Sequence, residues 1–202
     1  MEKKFASLVS FVFHPILIPF YAVIILLRPS YLVNGIPFQG KIMLLTLVLL
    51  TVVLLPLFLI VIYRKMGWIS SYYMPDKKER KLPLITMGFL QLVMAIMLQR
   101  LQISSVFHLF FLTASVLTVV LLLINNYWKI SLHASAVSGL LGALSGIAVS
   151  LKVDFIVPVL AVVLIAGMVG YARLKLKTHD TSQVYVGYIV GFATIFLFFI
   201  LL

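Results

Sequence analysis

From Ile42 to Tyr63 the chain runs for twenty-two residues without a charge. A helix needs about 20 such residues to cross the hydrocarbon core of a bilayer. Six more apolar runs follow the same logic: Phe5–Leu27, Pro83–Leu98, Ser105–Ile124, Leu132–Ser150, Phe155–Tyr171 and Val184–Leu202. With 63% hydrophobic residues, 10% charged residues and a mean hydropathy of +1.20, a soluble globular domain is excluded. The expected fold is all-α: a polytopic integral membrane bundle of six to seven transmembrane helices, forming one transmembrane domain over residues 1–202. The run Phe5–Leu27 is too long for a cleaved signal peptide and lacks a small-residue cleavage site, so it reads as a retained span. His14-Pro15 and Pro19 break its pattern, and a kinked helix is expected there, as at Pro56. The segment from Arg28 to Lys41, with two prolines and two glycines, reads as a loop. No cysteine is present, which removes disulfides and thiolate metal sites.

The formal charge of +11 could serve nucleic acid, but the cations are dispersed in short connections between apolar runs. Membrane topology accounts for them better, because cations gather on the cytoplasmic side and near anionic lipid. With seven crossings, twelve of the sixteen lysines and arginines fall on one side and four on the other. The crowded side is then cytoplasmic. The expected location is an integral membrane protein of a bacterial inner (cytoplasmic) membrane.

Three polar islands share that crowded side: DKKERKLP over 76–83, KISLHAS over 129–135, and YARLKLKTHDTSQ over 171–183. In the last, Arg173 is followed by five residues and His179, with Val184, Gly187 and Gly191 beyond. This resembles the third signature of the type 2 phosphatidic acid phosphatase superfamily. Ala172 replaces the family's Ser, and Gln183 stands where the family has Asp. The second island keeps the family's Ser and His as Ser131 and His133. The first supplies Lys77, Arg80 and Pro83 at compressed spacing. The resemblance covers about residues 70–195. It implies a divergent member that hydrolyses a phosphomonoester or pyrophosphate of a lipid, with lipid phosphate and membrane lipids as its partners. By resemblance, His179 is the nucleophile that forms a phosphohistidine, His133 the acid for the leaving alkoxide, and Gln183 the residue that orients His179. Arg173, Arg80 and Lys77 are the phosphate ligands. Fixed cations offset the charge of the transferring phosphoryl group, and proton donation helps a poor leaving group depart. The chemistry calls for no metal or other cofactor, and no carboxylates stand at ligand spacing.

Each residue also has a plainer reading. Lys77, Lys78, Arg80 and Lys81 suit a headgroup-facing loop, Arg173, Lys175 and Lys177 suit topological anchors, and His133 suits an interfacial helix start. His14 beside Pro15 could bond a carbonyl freed by the kink, and His108 could pack or meet water. Two alternatives to the phosphatase follow: a non-catalytic relative that binds or moves a lipid headgroup, and a small transporter or assembly subunit. The family's usual site is on the outer face, in conflict with the charge count. Small residues at four-residue spacing (Ser135/Gly139, Ser138/Gly142/Gly146, Gly187/Gly191) let backbones approach in lipid. The fifth and seventh runs are therefore expected to pack closely. The sidedness is open to direct measurement: in this cysteine-free chain, Lys78→Cys and Lys177→Cys should react with an impermeant thiol reagent from the same side. Labelling from opposite sides would separate the islands and end the three-motif argument.

Overall fold

The computed structural model describes residues 1–28, 32–33 and 35–201, and among them all regular structure is helical. Part of the expected loop 28–41 lies outside the described residues. In order the helices are α1 (Glu2–Val12), α2 (Ile18–Leu26), α3 (Phe38–Val48), α4 (Leu55–Lys65), α5 (Lys81–Arg100), α6 (Ser105–Tyr127), α7 (Leu132–Leu151), α8 (Ile156–Lys175) and α9 (Thr181–Leu201). Six segments are long and apolar enough to cross a membrane: Phe38–Lys65, taken as one, and each of α5 to α9. The protein is thus a helical membrane bundle.

Proline decides the two departures from simple helices. The run Phe5–Leu27 does not kink but breaks into α1 and α2, with 13–17 between them carrying His14-Pro15. At about 1.5 Å per residue neither piece alone reaches across a bilayer. His14 bonds there too, but to an amide, not a carbonyl: its Nδ1 accepts from the Ile16 N–H at 3.3 Å. Near Pro56, the strain spreads into a π-helical stretch, Leu49–Leu54, just before α4 begins. A proline ring clashes with the carbonyl four residues back, and wider i→i+5 turns relieve that clash without ending the helix. Pro83 costs nothing of the kind, because it sits in the first turn of α5, where the N–H would lack a helical partner anyway.

The helices fall into two compact units: residues 1–18 with 129–202, and residues 19–128. In the second unit, α5 packs on α6 along a row of polar contacts. Ser115 donates to the Gly88 carbonyl at 2.8 Å, Thr118 donates to Gln91 Oε1 at 2.8 Å, and His108 Nδ1 donates to the Ala95 carbonyl at 2.9 Å. In lipid such bonds hold helices together, each contributing about 0.6 kcal/mol. Tyr63 and Thr86 bond at 2.7 Å and tie α4 to α5.

In the first unit the most extensive pair is α7 with α9. The stripe of small residues makes it possible. A Cβ on Gly142 would sit 2.5 Å from the Phe192 carbonyl oxygen, and one on Gly191 would overlap the Ser135 carbonyl. Ser131, the N-cap of α7, receives the Ala134 N–H on its hydroxyl, while its own N–H donates to the Gln183 carbonyl at 3.2 Å. The seam therefore fixes the start of α7 against the start of α9. α8 packs on α7 and on α1.

Gly191→Ala should accordingly lower the thermal midpoint of the purified protein in detergent by an amount equivalent to about 1–3 kcal/mol, the usual cost of overpacking. Gly167→Ala, where a Cβ meets nothing within 4 Å, should be neutral or slightly stabilising. Equal midpoints for the two variants would mean that the close seam is not what holds α7 to α9.

Candidate functional site

The polar island over 171–183 is mostly helix. Arg173 and Lys175 belong to the last turn of α8, Thr181 opens α9, and only 176–180 link them. Leu176 caps α8, and Lys177 turns the chain back in a left-handed conformation, φ 52°. The Lys177 N–H bonds the Leu174 carbonyl at 3.0 Å and the Thr178 N–H bonds the Arg173 carbonyl at 3.2 Å. This pair of bonds is the Schellman ending, whose left-handed position usually holds glycine; a side chain there costs about 1–2 kcal/mol. Thr178 adds its hydroxyl to the same Arg173 carbonyl at 3.1 Å.

Asp180 then starts α9. Its carboxylate accepts the Gln183 N–H at 2.8 Å and its carbonyl accepts the Val184 N–H, which makes it the N-cap. Gln183, three residues on, reaches back past the cap: its Oε1 lies 2.7 Å from His179 Nδ1. A carbonyl can only accept, so Nδ1 carries the proton and the lone pair of the neutral ring is on Nε2. With Oε1 facing Nδ1, this contact assigns His179 the Nδ1–H tautomer.

His179 and Gln183 line an open basin of about 370 Å³ together with Lys129, Leu174, Lys177, Thr178 and Asp180. The structure brings together here two of the six sequence candidates and two cations, Lys129 and Lys177, not singled out as ligands. Lys129 stood in the second island, but nothing in its spacing separated it from an anchoring lysine.

His133 and Arg173 are not among the lining residues. His133, in the first turn of α7, donates from Nε2 to the Ser10 carbonyl at 3.1 Å. Arg173, buried on α8, donates to the Ser10 hydroxyl, which itself donates to the Ala6 carbonyl. The His14 ring stands edge-on to that of His133, centroids 5.2 Å apart. These groups and His179 lie within electrostatic reach of His133. Nearby, Glu2 forms an ion pair with Lys175, and that ammonium holds the Glu2 carboxyl below its ordinary pKa. Ser10 was invisible in the sequence, being one hydroxyl inside an apolar run.

Lys77 and Arg80 belong to the other unit, where both have local work. Lys77 Nζ donates to the Tyr127 carbonyl at the end of α6 at 2.8 Å, a favourable place for a cation. The Lys77 carbonyl accepts from Asn125 Nδ2 at 2.7 Å. Arg80 is buried and its Nε donates to the Met74 carbonyl at 3.1 Å. Both help fold the connection 66–80 onto its own unit, in which Trp68 stacks on Tyr63.

The bonding pattern assigns every histidine a tautomer. Nitrogen-15 spectra of histidine-labelled protein should show His179 and His108 protonated at Nδ1, and His133 and His14 at Nε2 when neutral. Gln183→Leu should release His179 from its preference and leave the other three unchanged. A His179 signal that ignores Gln183→Leu would mean that the amide does not set the tautomer. Comparison with protein-family models, with curated proteins and with solved structures finds no match to this chain.

Proposed function

We propose that the basin takes the phosphate group of a lipid at headgroup level and that His179 is its nucleophile, making the chain a lipid-phosphate phosphatase. One observation carries this reading: an imidazole whose tautomer is set by a side-chain carbonyl stands in an open basin with two lysines. Nε2, bearing the lone pair, attacks phosphorus. The bond from phosphorus to the lipid oxygen breaks, and that oxygen takes a proton from solvent water in the open basin. Water then attacks the phosphohistidine, releases inorganic phosphate and restores the ring. Lys129 and Lys177 offset the charge on the phosphoryl oxygens. The resemblance to the phosphatidic acid phosphatase superfamily points the same way, with Gln183 in place of an acid as the main departure.

We place the basin on the cytoplasmic face of a bacterial inner membrane, following the cation count. A non-catalytic headgroup binder is the second reading, favoured by a specific observation: His133 and Arg173, the acid and one of the phosphate ligands by resemblance, are turned onto Ser10.

Purified protein offered short-chain phosphatidic acid, a polyprenyl phosphate and a polyprenyl pyrophosphate should release phosphate from at least one. His179→Ala should abolish release, and Gln183→Asp should raise it, because a carboxylate stabilises the imidazolium-like charge that forms on attack while an amide cannot. Lys177→Gly should gain about 1–2 kcal/mol of stability from its backbone and lose affinity for the lipid phosphate. Binding of all three lipids without release would favour the binder. Full release by His179→Ala would refute the nucleophile.

A further inference from the structure

Two residues that the phosphatase chemistry wants at the basin do not line it, and both bond Ser10. The hold is local and polar. α1 has eleven residues, of which only Ala6 and Val9 are buried, so its apolar anchorage is small. Three ties supplement it: Glu2 with Lys175, the Ser10 hydroxyl with Arg173, and the Ser10 carbonyl with His133. Ser10 sits in the last turn of α1, where carbonyls lack intrahelical donors and the helix end is partially negative. α1 places no basic residue of its own there. The Arg173 guanidinium and the His133 N–H supply what that end needs.

Arg173 is nonetheless part of the basin's frame. Its carbonyl holds both the N–H and the hydroxyl of Thr178, and Thr178 and the adjacent Leu174 line the basin. The backbone is therefore already at the rim, and only the side chain points elsewhere. A phosphate brought to His179 would compete for that guanidinium with its present partners, the Ser10 hydroxyl among them. Charge-assisted bonds of Arg to phosphate are roughly twice as strong as neutral ones and are often bidentate.

We propose that α1 is an autoinhibitory strap: Ser10 holds Arg173 and His133 away from the basin, and a lipid phosphate entering the basin draws them across and loosens α1. The strap rests on the phosphate reading of the basin and names its regulation. In the resting protein the basin has its nucleophile and two lysines; with the strap displaced it gains a guanidinium and a second imidazole as proton donor. Contacts to α1 thereby set the threshold for lipid phosphate.

Hydrogen exchange on the full chain in detergent micelles separates the two ideas, with dioctanoyl phosphatidic acid as the probe and dioctanoyl phosphatidylcholine as the control. Phosphatidic acid alone should slow exchange at 176–180 and speed exchange of the α1 amides about tenfold, the sign of a shifted local opening. The α7–α9 seam should not change. Protection at 176–180 with unaltered α1 would overturn the strap and leave the phosphate site standing. No protection at 176–180 would overturn the phosphate reading, and the strap with it. A locked form gives the converse test. Glu2→Cys with Lys175→Cys, in a chain without other cysteines, should bind phosphatidic acid about tenfold more weakly when the two thiols are joined by a short bis-maleimide than when they are left unlinked, the expected penalty of holding the competent state closed. Equal affinity of the linked and unlinked forms of this one protein would overturn the strap. Ser10→Ala, which removes the hydroxyl and keeps the carbonyl, should tighten binding; weaker binding would show that Ser10 positions Arg173 for the ligand and does not restrain it.

Discussion

The close approach of α7 and α9 is the contact on which the rest of the first unit depends. Lipid gives helices no hydrophobic reason to associate, since chains and tails are equally apolar, so association has to come from packing and hydrogen bonds. Gly142, Gly146, Gly187 and Gly191 remove the side chains that would keep the backbones apart. Buried Ser135 and Ser138 then turn their hydroxyls to nearby carbonyls: Ser135 to Ser131, Ser138 to Ser135 and, at 3.4 Å, Gly187. The seam ends with the Ser131 amide on the Gln183 carbonyl. That bond ties the segment bearing His133 to the segment bearing His179. The polar site is thus positioned by a seam of small residues.

Length and hydropathy made the six long spans legible, because a bilayer demands about 20 apolar residues and leaves little choice of structure. Helix ends were harder. Hydropathy falls where the lipid stops, but hydrogen bonding does not, and α8 continues through Tyr171–Lys175 while α9 starts at Thr181. The expected loop over Ala172–Gln183 therefore shrinks to five residues. This matters chemically, since a helical Arg173 is directed by α8 toward α1 and not left on a mobile link. The break at 13–17 was legible as a proline signal but not as two separate helices.

The candidate site divides in the same way. The link from His179 to Gln183 was readable because it lies within four residues and obeys helix-start geometry. Contacts over long separations were not: Ser10 meets His133 and Arg173 from more than a hundred residues away. Lys77 and Arg80 show the opposite hazard. Their charges suggested phosphate, whereas the groups they meet are the carbonyls of Tyr127 and Met74. A helix end or a turn carbonyl attracts a cation by the same electrostatics that an anion uses, so residue type alone could not choose between them.

Gln183 brings these strands together. An acid in its place would lie beside its own neighbour's negative charge, because the Asp180 carboxylate already caps the Gln183 amide. Two carboxylates sharing one helix start would compete for the same N–H groups and raise each other's proton affinity. The amide avoids that conflict. It accepts the Nδ1 proton of His179 and leaves the capping charge to Asp180. What the amide does not supply is a negative charge beside the ring, and the ring's lone pair is left on Nε2. The substitution that weakens the resemblance to the phosphatase signature is, on these grounds, the one most compatible with how this chain begins α9.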